Sequence, residues 1–229
     1  MQRQEKGRLI VTVDLAIFAV IEGVLQVLLV QRGTEPYGGA WALPGGFIRP
    51  EEDADLDAAA RRVLLSKTAV AAPYLEQVGS VGNETRDPRG WTVSISYMAL
   101  ISPDASASKS GGAAEKSAWH PLEGTTVGVA LAFDHAAVLA QAVTRLRAKV
   151  EYSSLPAHLL PQQFTLPELQ AMYEGILGRR LDKSVFRKRM VEADFVEALP
   201  GEKRMASNRP AQLYCLRPGD PLSLFDRLI

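Results

Sequence analysis

Two apolar runs stand close together near the start of the chain. Leu9 to Val20 is rich in β-branched and apolar residues, Ile21-Glu22-Gly23 offers a turn, and Val24 to Val30 follows at once. This pattern predicts a β-hairpin feeding a buried sheet. Gly38, Gly39, Pro44, Gly45 and Gly46 then punctuate a loop. Leu56 to Lys67 carries Ala58, Ala59, Ala60, Leu64 and Leu65 without a breaker and predicts a helix. Strand-like composition returns around Leu75 to Val81 and Thr92 to Ile101, the latter alternating apolar with small polar residues. Between 102 and 118 the composition changes to Ser, Ala, Gly and Lys, which predicts a mobile loop. Asp134 to Val150 is helical again, with Asp134 as the expected N-cap. There is no internal repeat.

The last third has another rhythm. Pro156 and Pro161 interrupt any helix between Tyr152 and Gln163, which places a boundary there and divides the chain into domains 1–152 and 153–229. Thr165 followed by Glu168 is a capping box, and Phe164 with Leu169 fits the hydrophobic staple. Leu166, Leu169, Met172, Tyr173, Ile176 and Leu177 recur at helical spacing until Gly178 stops the helix. Asp182 then caps a second helix to about Ala193, so the pair predicts a helix-turn-helix. On the second helix Val185, Phe186 and Met190 are expected to face inward. Lys183, Ser184, Arg187, Lys188 and Arg189 crowd the remaining surface, in the turns a recognition helix brings to base edges. Phe195 to Leu199 and Leu213 to Leu216 read as strands. The basic hairpin tip between them, with Lys203, Arg204, Asn208 and Arg209, makes a wing suited to phosphate or minor-groove contact. A basic face that docks on another protein is the alternative reading.

Composition sharpens this only locally. The 229 residues suit one large domain or two small ones, and the 47% hydrophobic content is ordinary for a globular chain. The 26 basic and 26 acidic residues cancel. Between Arg179 and Arg209, however, nine basic residues face five acidic ones, a mild pointer to a polyanionic partner. The one cysteine, Cys215, excludes an intrachain disulfide and reads as a small buried residue in a strand. Met1 to Arg8 has no apolar signal core, and no apolar run is long enough to cross a bilayer, so the expected location is the cytoplasm, away from membranes. His120 and His135 lack partners at metal-ligand spacing and read as satisfied or surface histidines.

Leu43-Pro44-Gly45-Gly46-Phe47, followed by a helix through Arg61-Arg62-Val63-Leu64-Leu65-Ser66-Lys67-Thr68-Ala69-Val70, resembles the Nudix box. That family motif sets helical glutamates on one face to bind divalent cations, which polarise a pyrophosphate and activate water. Aligned on Arg62, the glutamate positions hold Val63, Ser66 and Lys67, and the following glycine is Ala69. Gly46 lies sixteen positions before Arg62, where the hydrolase motif has fourteen; Glu52 keeps its distance from Gly46, but the excess shifts it away from the helix. Lys67 also sets a positive charge where the metal would sit. No catalytic residue, metal or cofactor is expected.

The resemblance runs further. Leu28 to Gly33, Trp41 to Phe47, Val81 to Trp91, Leu131 to His135, Phe164 to Gln170 and Asn208 to Ala211 all resemble the Nudix-related transcriptional regulators of NAD metabolism, the NrtR family. It implies an α/β (α+β) architecture: a Nudix α/β/α sandwich with a mixed sheet, then a winged helix-turn-helix. It also implies a bacterial, ligand-responsive regulator, acting as a repressor of NAD biosynthesis or salvage genes and as a homodimer on a palindromic double-stranded DNA operator. ADP-ribose or a related NAD-derived metabolite would be its effector. For that effector, Arg32, Arg86 and Arg89 are expected as phosphate partners, each equally readable as a surface ion pair. Gly45 and Gly46 would admit backbone amides close to a pyrophosphate. Trp41 or Phe47 would stack on adenine, although Trp41 and Trp91 also read as core. An ADP-ribose pyrophosphatase with an accessory domain is the enzymatic alternative.

Overall fold

The structure, a computed structural model, describes residues 9–68, 74–102, 116–206, 209–218 and 222–229, with backbone only at 206 and 209. The predicted hairpin is β1 (Ile10–Ile21) and β2 (Val24–Gln31). Its turn places Glu22 and Gly23 at φ of 52° and 77°, as a two-residue type I′ turn requires. The hairpin anchors an eight-stranded sheet with β5 (Tyr74–Asn83), β6 (Thr92–Leu100), β7 (Ser117–Glu123) and β8 (Thr126–Val127), ordered β5-β6-β1-β2-β7-β8. The glycine-rich segment expected as a loop contributes two short strands, β3 (Trp41–Ala42) on β2 and β4 (Gly45–Phe47) on β1. β1 and β6 are parallel, while β5 with β6 and β2 with β7 are antiparallel, so the sheet is mixed.

Every residue from Val13 to Val20 is buried. Successive strand residues point to opposite faces, so both faces of β1 are covered. Helix α1 (Leu56–Thr68) buries Ala59, Ala60, Val63 and Leu64, and helix α2 (His135–Glu151) buries Val138, Leu139, Ala142, Val143, Leu146 and Val150. Most of the expected loop at 102–118 lies outside the described residues, but its end, Ser117 and Ala118, begins β7. Asp134 precedes α2 as expected, yet both its carboxylate oxygens are engaged by Arg86.

The chain forms two compact units, Met1–Ala19 with Gln26–Thr144, and Val20–Leu25 with Arg145–Ile229. The boundary expected near 152 therefore differs from the division by packing, which runs through α2 and assigns the tip of the first hairpin to the second unit. Gly175 gives a physical reason: a Cβ there would stand 2.9 Å from the Gly23 carbonyl oxygen and from Val20.

In the second unit, β9 (Phe164–Thr165) leads into α3 (Leu166–Leu177), with both halves of the capping box formed and Gly178 at φ 69° closing the helix. Asp182 caps α4 (Lys183–Glu192) through the Val185 amide. β10 (Val196–Ala206) and β11 (Arg209–Leu216) complete a three-stranded sheet of order β10-β11-β9. Tyr173 joins the pieces: its ring meets Phe186 edge-on at 5.3 Å and its hydroxyl donates to Ser153 O at 2.7 Å. The architecture is a mixed-sheet α/β domain followed by a winged helix, as the sequence implied. Two details differ. Val185 is 50% exposed and does not face the core, because the buried stripe of α4 is Phe186 and Met190, four residues apart, and Val185 lies about 100° off it. Lys203 and Arg204 sit within β10, paired with Gln212 and Ala211, where a hairpin tip was expected.

Candidate functional site

The first unit holds a cavity of about 370 Å³, within the range of small-ligand sites. Three structural pieces meet there. β1 gives Thr12 and Asp14, β4 and the link before it give Leu43, Gly45, Gly46 and Phe47, and the approach to α2 and its first residue give Phe133 and His135. Gly45 is required by this packing, since a Cβ would collide with Asp14 Oδ1 and come within 3.0 Å of the Val13 carbonyl.

Six cationic side chains line the cavity: Arg32, Arg49, Arg62, Lys67, Arg86 and Arg89. Four are held by carboxylates. Arg62 meets Asp53 through two bonds of 2.7 Å and also reaches Phe47 O, which pulls the Asp53 pKa down to about 2 and raises that of Arg62. Arg86 donates from Nε and Nη2 to Asp134 at 3.0 and 2.7 Å and lies 3.7 Å from Asp14. Burial opposes the Arg86 charge, but those two carboxylates more than offset it, and its pKa rises. Arg89 grips Asp87 at 2.6 Å, and Arg49 grips Glu52 at 3.0 Å. Arg32 differs. Its guanidinium bonds the carbonyls of Pro36 and Thr34 and lies 4.7 Å above the Phe133 ring, with no carboxylate partner among the described residues. Arg89 also approaches the Phe133 ring, at 5.9 Å, and lies 5.3 Å over Phe47.

Of the seven residues expected at the ligand, Arg32, Gly45, Gly46, Phe47, Arg86 and Arg89 line the cavity. Trp41 does not: its ring packs edge-on against His120 at 4.7 Å. Trp91, also read as core, is 49% exposed. His120 is neither satisfied nor at the surface, because its buried Nε2 has no hydrogen-bond partner; burial lowers its pKa. Phe133, Asp14 and His135 were missed. The available signal was Asp14, a lone acid within an apolar strand, where a carboxylate is unexpected without a partner. On α1, Val63 is buried against Gly46, and Ser66 and Lys67 face the cavity. Among the described residues no three His, Cys, Asp or Glu side chains cluster to hold a metal ion.

In the second unit Lys183, Ser184, Arg187 and Lys188 are exposed on α4, and Arg189 is half-buried. Lys188 forms an i,i+4 pair with Glu192 at 3.8 Å. Lys203 is exposed on β10. Arg204 is drawn back onto Glu168 at 3.0 Å and Gln163 O, beside the N-terminus of α3. Asn208 and the Arg209 side chain lie outside the described residues. Cys215, expected to be buried, is half-buried in β11. No described helix is long and apolar enough to cross a membrane.

Comparison with known proteins matches these two parts separately. Residues 12–142 match the NUDIX domain model, and residues 156–216 match the NrtR DNA-binding winged helix domain. The chain is 48% identical, over 93% of its length and 84% of the relative's, to the ADPR responsive transcriptional repressor NtrR of Acinetobacter baylyi. It superposes on Shewanella oneidensis NrtR complexed with a 27mer DNA with a TM-score of 0.83 and 41% identity, covering 96% of this chain and 99% of that one. The NUDIX domain of the same Shewanella protein, complexed with ADP ribose, covers 64% of this chain and 94% of its own length, with 37% identity and a TM-score of 0.52.

Proposed function

Because this chain belongs to the NrtR family of Nudix-related regulators, we propose that it is an ADP-ribose-responsive transcriptional repressor of genes for NAD biosynthesis or salvage. The observation that carries the reading is the pairing of an arginine-lined cavity with a winged helix whose α4 is exposed and basic. In the cavity Arg32 is the phosphate anchor. Its guanidinium has donors to spare and no carboxylate to leave among the described residues, so an incoming phosphate gains a charge-assisted bond without breaking an ion pair. Phe47, 52% exposed, offers a ring face to adenine. Arg86 and Arg89 shape the wall, while Gly45 and Gly46 let the ligand approach the backbone.

Residues 1–152 act as the sensor and 153–229 as the DNA-binding domain. The protein works in the cytoplasm as a homodimer on a palindromic operator, with Lys183, Ser184, Arg187, Lys188 and Arg189 at the major groove and the wing at the backbone. Lys203 and Arg209 serve the wing; Arg204, committed to Glu168, stiffens it. The protein has no hydrolase activity, because Ser66 and Lys67 stand on α1 where the cation-binding glutamates would be.

The test is a gel shift on the promoter regions of NAD-synthesis genes, with ADP-ribose as competitor. Specific binding with a steep salt dependence, released by ADP-ribose, is expected. Turnover of ADP-ribose in magnesium without any operator binding would establish the pyrophosphatase instead.

A further inference from the structure

Asp14 and His135 are two polar side chains on the cavity wall that take no part in the phosphate-and-ring reading, although Asp14 Oδ2 also lies 3.7 Å from Arg86 Nη2. Both are buried, with side chains 9% and 5% exposed. Asp14 Oδ2 accepts a hydrogen bond from the Ser94 hydroxyl, and Asp14 Oδ1 lies against Gly45. His135 Nδ1 accepts the Leu43 amide at 2.9 Å. A nitrogen that accepts carries no proton, so the neutral ring holds its proton on Nε2. Burial favours that neutral ring by lowering the His135 pKa. His135 Nε2 lies 3.8 Å from Asp14 Oδ2. That is too long for a direct hydrogen bond, yet it is a span one oxygen atom bridges with a bond of about 2.8 Å to each side.

The wall therefore presents an acceptor and a donor, side by side, to a single group. A hydroxyl satisfies both at once, donating to the carboxylate and accepting from the imidazole. A phosphate oxygen satisfies only the imidazole and is repelled by Asp14. An ammonium group, which only donates, satisfies only the carboxylate. The neighbouring Thr12 and Thr92, whose hydroxyls donate to backbone carbonyls, extend the same surface toward a polyhydroxylated ligand.

We propose that Asp14 and His135 form a hydroxyl-reading pair that binds the terminal ribose of the effector and separates ADP-ribose from ADP. This rests on the ADP-ribose reading above. With the base at the exposed ring of Phe47 and the diphosphate among the arginines, the far sugar is the part that reaches Asp14. A site built to bond a hydroxyl discriminates sharply against a ligand that lacks it, because its own buried groups are then left unpaired.

The experiment is calorimetric titration of the full chain with ADP-ribose and with ADP, on the wild type and on Asp14→Asn, with melting temperatures recorded alongside. The wild type is expected to bind ADP-ribose about tenfold or more tighter than ADP, and Asp14→Asn to lose most of that preference while keeping its affinity for ADP. Equal wild-type affinities for the two ligands would overturn the pair as a sugar reader and leave the ADP-ribose reading standing; this arm needs no variant to fold. Equal weakening of both ligands by Asp14→Asn would assign Asp14 a general electrostatic role and overturn the proposal. Wild-type protein that binds neither ligand would refute the effector assignment itself, and the pair with it.

Discussion

Arginines of one cavity serve two purposes, and replacing them one at a time separates the two. Arg86 is almost entirely buried, with 5% of its side chain exposed, and is clamped by Asp134 and approached by Asp14. Arg86→Ala leaves those two carboxylates facing one another without their common counter-charge. Removing one partner of a buried pair costs about 3–5 kcal/mol. Asp134 keeps 26% of its side chain exposed, so water recovers part of its charge and the low end, about 3 kcal/mol, applies. In a chain of this size that lowers the melting temperature by roughly 6–12 °C. Arg86→Ala with Asp134→Asn should regain part of the loss, since one stranded charge is gone. Arg32→Ala should behave oppositely. It removes bonds to two carbonyls and a ring contact, a stability change of about 1 kcal/mol or less, but weakens ADP-ribose by about ten- to a hundredfold. Differential scanning calorimetry and titration calorimetry on the same preparations decide the matter. The reasoning fails if Arg86→Ala melts like the wild type while losing more ligand affinity than Arg32→Ala.

The Asp53–Arg62 bond gives an acid signature. The Asp53 carboxyl falls from its ordinary 3.8 to about 2, so its contribution is complete above the unfolded value and fades as pH drops through about 2; Asp53→Asn should flatten the stability curve between those limits, as followed by denaturant melts. Tyr173→Phe removes a buried bond to Ser153 O and should cost about 1–2 kcal/mol in the same melts, with operator affinity recovered wherever the protein is folded. Arg187→Ala should weaken operator binding across salt concentrations while leaving ADP-ribose affinity unchanged; a gel shift identical to that of wild type would remove α4 from the interface.

Much of the fold was legible because its signals are local. The β1–β2 hairpin, α1, the capping box at Thr165 and the Gly178 stop each follow from residues within one turn or strand of each other. What was missed depends on partners distant in the chain. β3 and β4 exist only because β2 and β1 lie beside them, and a segment so rich in glycine carries no strand signal of its own. Val185 was misplaced for a different reason: an apolar residue beside Phe186 looks like core until the four-residue step to Met190 fixes the buried stripe. Lys203 and Arg204 were read as loop because the strand pattern breaks at Pro200-Gly201, where β10 carries an irregularity against β11 between Ala198 and Lys203.

The site was half legible, and the other half depends on partners distant in the chain. Arg32, Arg86 and Arg89 were visible as residue types, but the carboxylates that govern them were not: Asp134 lies 48 residues from Arg86 and Asp53 nine from Arg62. A Nudix hydrolase needs carboxylates turned toward the pyrophosphate, where they hold cations. Here Asp53, Asp87 and Asp134 hold arginines in position, and Lys67 lines the wall. Acids used this way fix the arginines they bond and so rigidify the cavity wall.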